Sequence, residues 1–312
     1  MNFELGNIVV TLAGLFLIIG VSYIATKFKI LSISASTTLS NLLMRIAFPC
    51  TMFVSMIRPF DPNFLTDGII VIVITTILLF VFIALALFIS KVTKIKPGNR
   101  GAFIMCGVFC NAGFIGYPIA LSLMGSEGLS LAVILNLPLM VITLGIGCYL
   151  IQRDSLGNEK TKVNVKRLIF SEANILMVLG VIFYFKQWSV PEIIMTPLTY
   201  LSDLTTPLSL VVVGITLASA EVGSMLKDRE VLIPAFLRLI LFPSITYAFL
   251  SLFNFANPLV PAVILVLLAT PSPGSGAALT QSNGGNAPLA AKITFLTSIL
   301  SMVTLVFWIL LI

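Results

Sequence analysis

Most residues with binding chemistry fall in two short stretches. The first, Asn111-Ala-Gly-Phe-Ile-Gly-Tyr-Pro118, sets one amide beside Gly113, Gly116 and Pro118. The second, Ala269-Thr-Pro-Ser-Pro-Gly-Ser-Gly276, combines Thr270, Ser272 and Ser275 with Pro271, Pro273 and Gly276. Proline removes an N–H and clashes with the preceding turn, while glycine tolerates unwound backbone. Each stretch therefore predicts a broken helix. A half-helix beginning at such a break presents free N–H groups and a positive dipole end, which favours an anion. Asn111, Thr270, Ser272 and Ser275 would add neutral donors.

Three charges sit inside apolar sequence: Arg45, Asp203 and Arg238. An ionisable group within a bilayer costs several kcal/mol unless it is paired or hydrated. Arg45 lies four residues before Pro49 and Asp203 four before Pro207. They read better as a structural ion pair or gate than as substrate groups, and Asp203 is the carboxylate best placed to carry a coupled proton. The planar fork of Arg238 suits a carboxylate held bidentately, or a clamp on helix-end carbonyls or on Asp203. Lys292 and Glu172 read as a snorkelling or mutually paired couple.

Much other chemistry is excluded. There is no histidine, so His-ligated zinc, Ser-His and Cys-His designs cannot be built from this chain. Cys50, Cys106, Cys110 and Cys148 all lie in apolar segments and read as small buried residues. No cofactor, metal or enzymatic activity is expected.

The elements that must position these residues are membrane spans. Of 312 residues 58% are apolar and 10% charged, against roughly 45–50% and 25% in soluble domains. About 20 apolar residues cross a bilayer. Eight segments qualify cleanly: 6–26, 36–57, 68–92, 128–151, 167–187, 196–219, 230–254 and 287–312. Two more, 99–125 and 258–283, carry the interruptions described above, which makes ten crossings. The first segment lacks a basic n-region and is long enough to span, so it is read as a helix and not a signal peptide. Alternate loops hold thirteen Lys/Arg, from Lys27 to Arg229, against Arg58 and Lys186 alone in the others. The basic loops are therefore expected in the cytoplasm and both termini outside. The net charge of +6 reads as topology and attraction to lipid headgroups, with no nucleic-acid partner.

An internal repeat is visible. Ala13-Gly-Leu-Phe-Leu-Ile-Ile-Gly-Val21 matches Ala173-Asn-Ile-Leu-Met-Val-Leu-Gly-Val181 at an offset of 160. An offset of 158 carries Pro49 onto Pro207 and Gly116 onto Gly274. Five crossings per half force opposite insertion of the two halves, as in secondary transporters. The expected fold is an all-α polytopic membrane protein of ten transmembrane helices. It consists of two inverted five-helix repeats, 1–151 and 167–312, joined by a linker at 152–166, with helices 4 and 9 broken and crossing at mid-membrane.

The stretch Asn111–Pro118 resembles the Asn-x-x-x-x-Gly-x-Pro element of the auxin efflux carrier family, which includes plant auxin exporters and bacterial malate and malonate permeases. Ala269–Gly276 looks like its repeat partner, and Pro288-Leu-Ala-Ala-Lys-Ile-Thr-Phe-Leu-Thr-Ser298 resembles the start of the family's last helix. The likeness extends over essentially the whole chain. It implies a scaffold of helices 1, 2, 6 and 7, a moving transport domain of helices 3–5 and 8–10, and elevator-like carriage of a carboxylate near Asn111. It also implies a homodimer. Gly276 stands where plant members have proline, helix 3 has no acid within its apolar span, and helix 8 offers Arg238 in place of a lysine. A prokaryotic organic-acid carrier therefore fits better than an auxin exporter.

The expected function is secondary transport of small mono- or dicarboxylates such as malate or malonate at the cell membrane, with possible H+ or Na+ coupling. A sodium-coupled organic-anion symporter of the bile-acid type is the nearest alternative. An anion channel or a sensor without turnover is another.

Overall fold

The computed structural model describes residues 5–156, 172–218 and 225–312. Most of the linker at 152–166 and the side chain of Glu172 lie outside the described residues. The described residues are helical, without strands. Six helical runs are long and apolar enough to cross a membrane: Val10–Lys27, Pro62–Val92, Arg100–Ser155, Glu192–Ala218, Arg229–Leu250 and Ala287–Ile309. Two shorter apolar helices, Ile175–Lys186 and Leu259–Ala269, accompany them. The 56-residue run would measure about 84 Å if straight, against about 30 Å of hydrocarbon, so it must turn. It does so at Gly125, whose φ of 67° and ψ of −163° leave the helical region. This is a multi-pass membrane protein.

Contacts divide the chain into two units, neither of which coincides with a half of the sequence. The first comprises Met1–Ile69, Gly113–Ile134 and Lys166–Ser219; the second comprises Ile70–Ala112, Leu135–Val165 and Ala220–Ile312.

The first unit holds α1 (Leu5–Lys27), α2 (Ala35–Leu42), α3 (Phe48–Val54) and the start of α4 (Pro62–Val92). Most of the π turn Ala112–Gly116 and the start of α6 (Tyr117–Ile142) belong to it, as do α8 (Glu172–Lys186), α9 (Glu192–Asp203) and α10 (Thr205–Ala218). Its helices close on small residues, as membrane helices do where no hydrophobic effect drives them together. A Cβ on Gly214 of α10 would lie 2.5 Å from the Ile19 carbonyl of α1, and one on Gly180 would lie 3.0 Å from Met56 Cβ. The Tyr184 hydroxyl fastens the loop before α4, donating to the Asp61 carbonyl at 2.9 Å and accepting from the Asp61 N–H at 3.0 Å.

The second unit holds the rest of α4, α5 (Arg100–Val108), α7 (Cys148–Leu156), α11 (Arg229–Phe236), α12 (Phe242–Leu250), α13 (Leu259–Ala269), α14 (Gly276–Ser282) and α15 (Ala287–Ile309). Phe82 stacks on Phe242 with centroids 4.3 Å apart. One end is tied by polar side chains. Asp228 caps α11 by accepting from the Glu230 N–H, and Asn286 caps α15 by accepting from the Leu289 N–H. Asn286 donates to Asn99, Asn99 to the buried Glu230 carboxylate, and the Lys96 N–H to that same carboxylate.

Prolines explain where the helices deform. Among the described residues there are four π turns, and three end immediately before an aromatic–proline pair. These are Leu43–Ala47 before Phe48-Pro49, Ala112–Gly116 before Tyr117-Pro118, and Leu237–Leu241 before Phe242-Pro243. A proline ring clashes with the carbonyl four residues earlier, and widening the preceding turn to i→i+5 bonding relieves that clash. The N–H groups of Phe48 and Phe242 donate to the carbonyls of Leu43 and Leu237 accordingly. At Pro243 the orphaned carbonyl belongs to Leu239, and the Trp308 indole N–H donates to it at 2.9 Å. Pro207 acts more severely: its missing bond would have reached Asp203, and there α9 ends, with α10 restarting at Thr205. The fourth π turn, Thr143–Gly147, has no proline after it.

Candidate functional site

The expected breaks are present, one of them displaced. α5 ends at Val108, and Phe109 is extended with ψ 151°. Phe109–Asn111 therefore form the unwound stretch. Gly113 and Gly116 lie in the π turn that follows, and Pro118 lies one residue into α6. The break thus precedes Pro118, whose clash with the preceding turn is taken up by the π turn that opens this helical half. The second break occurs where the Pro/Gly-rich stretch predicts it. α13 ends at Ala269, Thr270 is extended with ψ 155°, and α14 begins at Gly276.

Within the second unit these breaks meet. The Asn111 N–H donates to the Pro271 carbonyl at 2.8 Å. The Ser272 hydroxyl donates to the Cys106 carbonyl of the last turn of α5, and the Ser272 N–H donates to Thr297 Oγ1 at 3.2 Å. Thr270 turns its hydroxyl back onto the Leu267 carbonyl at 2.7 Å. Asn111, Thr270, Pro271, Ser272, Pro273 and Gly276 are buried, and Ser275 is half-buried. Gly276 is closely packed: a Cβ there would lie 3.1 Å from Cys106 Sγ, a tight contact.

Arg238 completes the cluster. It lies in the π turn Leu237–Leu241 and is 0% exposed. Its Nη1 donates to the Val108 carbonyl, the last of α5 before the break. Its Nε and Nη2 are buried without a hydrogen-bond partner among the described residues. The clamp on a helix-end carbonyl therefore exists, and two further donors of the fork are left over. A buried guanidinium satisfied on one side only costs several kcal/mol, which an anion would recover. By contrast, α14 spans only seven residues, so its N-terminal dipole is a weaker attractant than a full charge.

The other predicted residues belong to the first unit. Gly113 lies against Phe48, where an added Cβ would stand 2.8 Å from the ring, and Phe48 makes edge contacts with Phe114 and Tyr117. Gly116 and Pro118 are buried. Arg45 and Asp203 are both exposed, and among the described residues no ion pair joins them. The expected structural pair is thus not formed. Each also carries the carbonyl that the proline four residues later cannot bond.

Asp203 instead lines a cavity of about 440 Å³. Arg58, Tyr117, Ser55 and Ser130 line it too. At one wall Thr51 and Thr205 hydroxyls stand 2.7 Å apart, with Ser202 Oγ 3.2 Å from Thr51. This hydroxyl group is absent from the sequence expectations. Its members lie 151 and 154 residues apart, and no local pattern links them.

A family model described as membrane transport protein matches residues 7–309. An uncharacterized transporter of Methanocaldococcus jannaschii is 28% identical over 290 residues, covering 92% of this chain and 93% of its own. An uncharacterized transporter of Methanothermobacter thermautotrophicus is 26% identical over 305 residues, covering 96% of each.

Proposed function

The chain belongs to the membrane transport protein family, that of the auxin efflux carriers, and from this premise we propose that it is a secondary transporter of small organic carboxylates. The observation that carries the reading is Arg238, a fully buried cation beside two unwound segments with two fork nitrogens unsatisfied. A carboxylate is the planar two-oxygen anion that such a fork matches. Asn111, Thr270, Ser272 and Ser275 would supply neutral donors around it, with Gly113, Gly116, Pro118, Pro271, Pro273 and Gly276 shaping the backbone. A dicarboxylate such as malate or malonate would set one carboxylate on the Arg238 fork and the other among the neutral donors.

Transport would proceed by elevator-type alternating access, on ten helices built as two inverted repeats with both termini outside the cell membrane. Two observations support a scaffold of helices 1, 2, 6 and 7. The first contact unit gathers residues 1–69 with 166–219, together with residues 113–134, and the second gathers both breaks with α11, α12 and α15. Asp203 would carry a coupled proton, being a carboxylate open to a hydroxyl-lined cavity. The protein would work as a homodimer.

The test is uptake of radiolabelled malate and malonate into proteoliposomes. Arg238→Gln should abolish saturable uptake. Arg238→Lys, which keeps the charge and loses the fork, should weaken apparent affinity by about tenfold or more. Wild-type uptake in the glutamine variant, with normal reconstitution, would remove Arg238 from the site. A requirement for sodium would favour the bile-acid type of symporter.

A further inference from the structure

A second cavity, of about 320 Å³, lies wholly within the second unit, at the ends of α4 and α7 and the beginning of α5. Its wall carries Lys91, Arg100 and Arg153 against a single acid, Asp154, a net charge of about +2. Asp154 is already engaged, accepting the Gly101 N–H at 2.9 Å and so joining α7 to the first turn of α5. The floor beneath is apolar, made by Leu87, Ile104 and Leu150. The shape is fixed by close packing, since a Cβ on Gly101 would lie 2.7 Å from the Ile151 backbone. The guanidinium is fixed as well: Arg100 donates its Nε to the Ile95 carbonyl at 3.1 Å.

We propose that this cavity binds the phosphate headgroup of an anionic phospholipid. The cations point to an anion, and the adjoining surface selects the lipid form of it. One helical step from Leu87 and Lys91, α4 exposes Phe88 (64%) and Val92 (63%), an apolar strip beside the cavity. A headgroup in the cavity would lay its acyl chains along that strip, whereas a free phosphate or carboxylate would gain nothing from it. The three basic residues stand at helix ends on the side that the Lys/Arg asymmetry assigns to the cytoplasm, where anionic lipid is recognised by basic pockets between helices. The proposal rests on membrane residence and is independent of substrate identity.

The experiment is lipid retention, read by native mass spectrometry on delipidated protein in detergent. Phosphatidylglycerol and phosphatidylcholine are titrated separately, alongside inorganic phosphate and glycerol 3-phosphate. Phosphatidylglycerol should bind in preference to phosphatidylcholine, and neither soluble phosphate should compete. Each basic residue near an anionic lipid contributes a factor of about five in affinity. Arg100→Gln/Arg153→Gln should therefore weaken phosphatidylglycerol binding by about twentyfold or more, and Lys91→Gln alone by about fivefold. The single variant touches none of the hydrogen bonds that hold α5 and α7, so it stays informative should the double variant fold poorly. Equal retention of both lipids, or unchanged binding in Lys91→Gln, would overturn the assignment. Effective competition by glycerol 3-phosphate would replace the lipid with a soluble phosphate ester. Loss of uptake in transport assays would bear on neither result.

Discussion

At the scale of single residues, the site depends on donors that proline and glycine have released from helical bonding. Asn111 is the sharpest instance, because its backbone N–H is committed to Pro271 and the residue is buried. Asn111→Ala keeps the backbone bond and deletes the amide. Saturable malate or malonate uptake should be lost while detergent-extracted protein elutes and melts as the parent does. Unchanged uptake would exclude Asn111 from the site. Asn111 and Ser272 were legible in the sequence because glycine and proline crowd round them in otherwise apolar spans. The partners of Arg238 were not legible, since Val108 stands 130 residues away and nothing local marks the pairing. The displaced first break has a local reason. Pro118 is the obvious breaker, yet the π turn before it relieves its clash, and the chain unwinds earlier, at Phe109–Asn111.

At the scale of elements, the aromatic–proline pairs set where each helix widens, and neighbouring side chains repair what the prolines leave open. Trp308 is the clearest repair, its indole N–H donating to the Leu239 carbonyl that Pro243 cannot serve. Trp308→Phe keeps a smaller aromatic ring but removes the indole N–H and orphans a buried acceptor, which alone costs about 1–3 kcal/mol. The melting temperature in detergent should fall by several degrees with the helical content unchanged. An unaltered melting temperature would show that this carbonyl has another partner. The deformations at Pro49, Pro118, Pro207 and Pro243 are each accountable from sequence once the carbonyl four residues upstream is followed. The hydroxyl group of Thr51, Ser202 and Thr205 is not, because it forms only when α3 lies beside the junction of α9 and α10.

At the scale of the whole molecule, the division into contact units departs from the order of the chain. The second half of the broken span near Pro118 groups with residues 1–69 and 166–219, while Asn111 groups with the other unit. Composition and charge asymmetry sufficed to read a multi-pass membrane protein. They could not give the units, because grouping depends on packing between segments far apart in sequence. Coupling is a property at this scale, and it assigns Asp203 a specific test. Uptake driven by an inward proton gradient should exceed uptake without one in the parent, and Asp203→Asn should abolish that difference while leaving gradient-free exchange intact. Stimulation of the same size in the variant would move the proton elsewhere.

The π turn at Thr143–Gly147 stands apart from the other three because no proline holds it open. It contains one residue more than an α-helix needs over the same rise. Elsewhere in a transmembrane helix, losing a residue rotates everything beyond it by about 100° and turns a packed face toward lipid. Here the loss is absorbed in place. An added Cβ at Gly145 would meet nothing within 4 Å, so its removal disturbs no neighbour. Deleting Gly145 should yield folded protein that melts close to the parent, whereas deleting Leu139, one turn earlier and buried, should not. The turn is thus a place where relatives of this chain could differ in length by one residue within a membrane span and still superimpose on both sides of it.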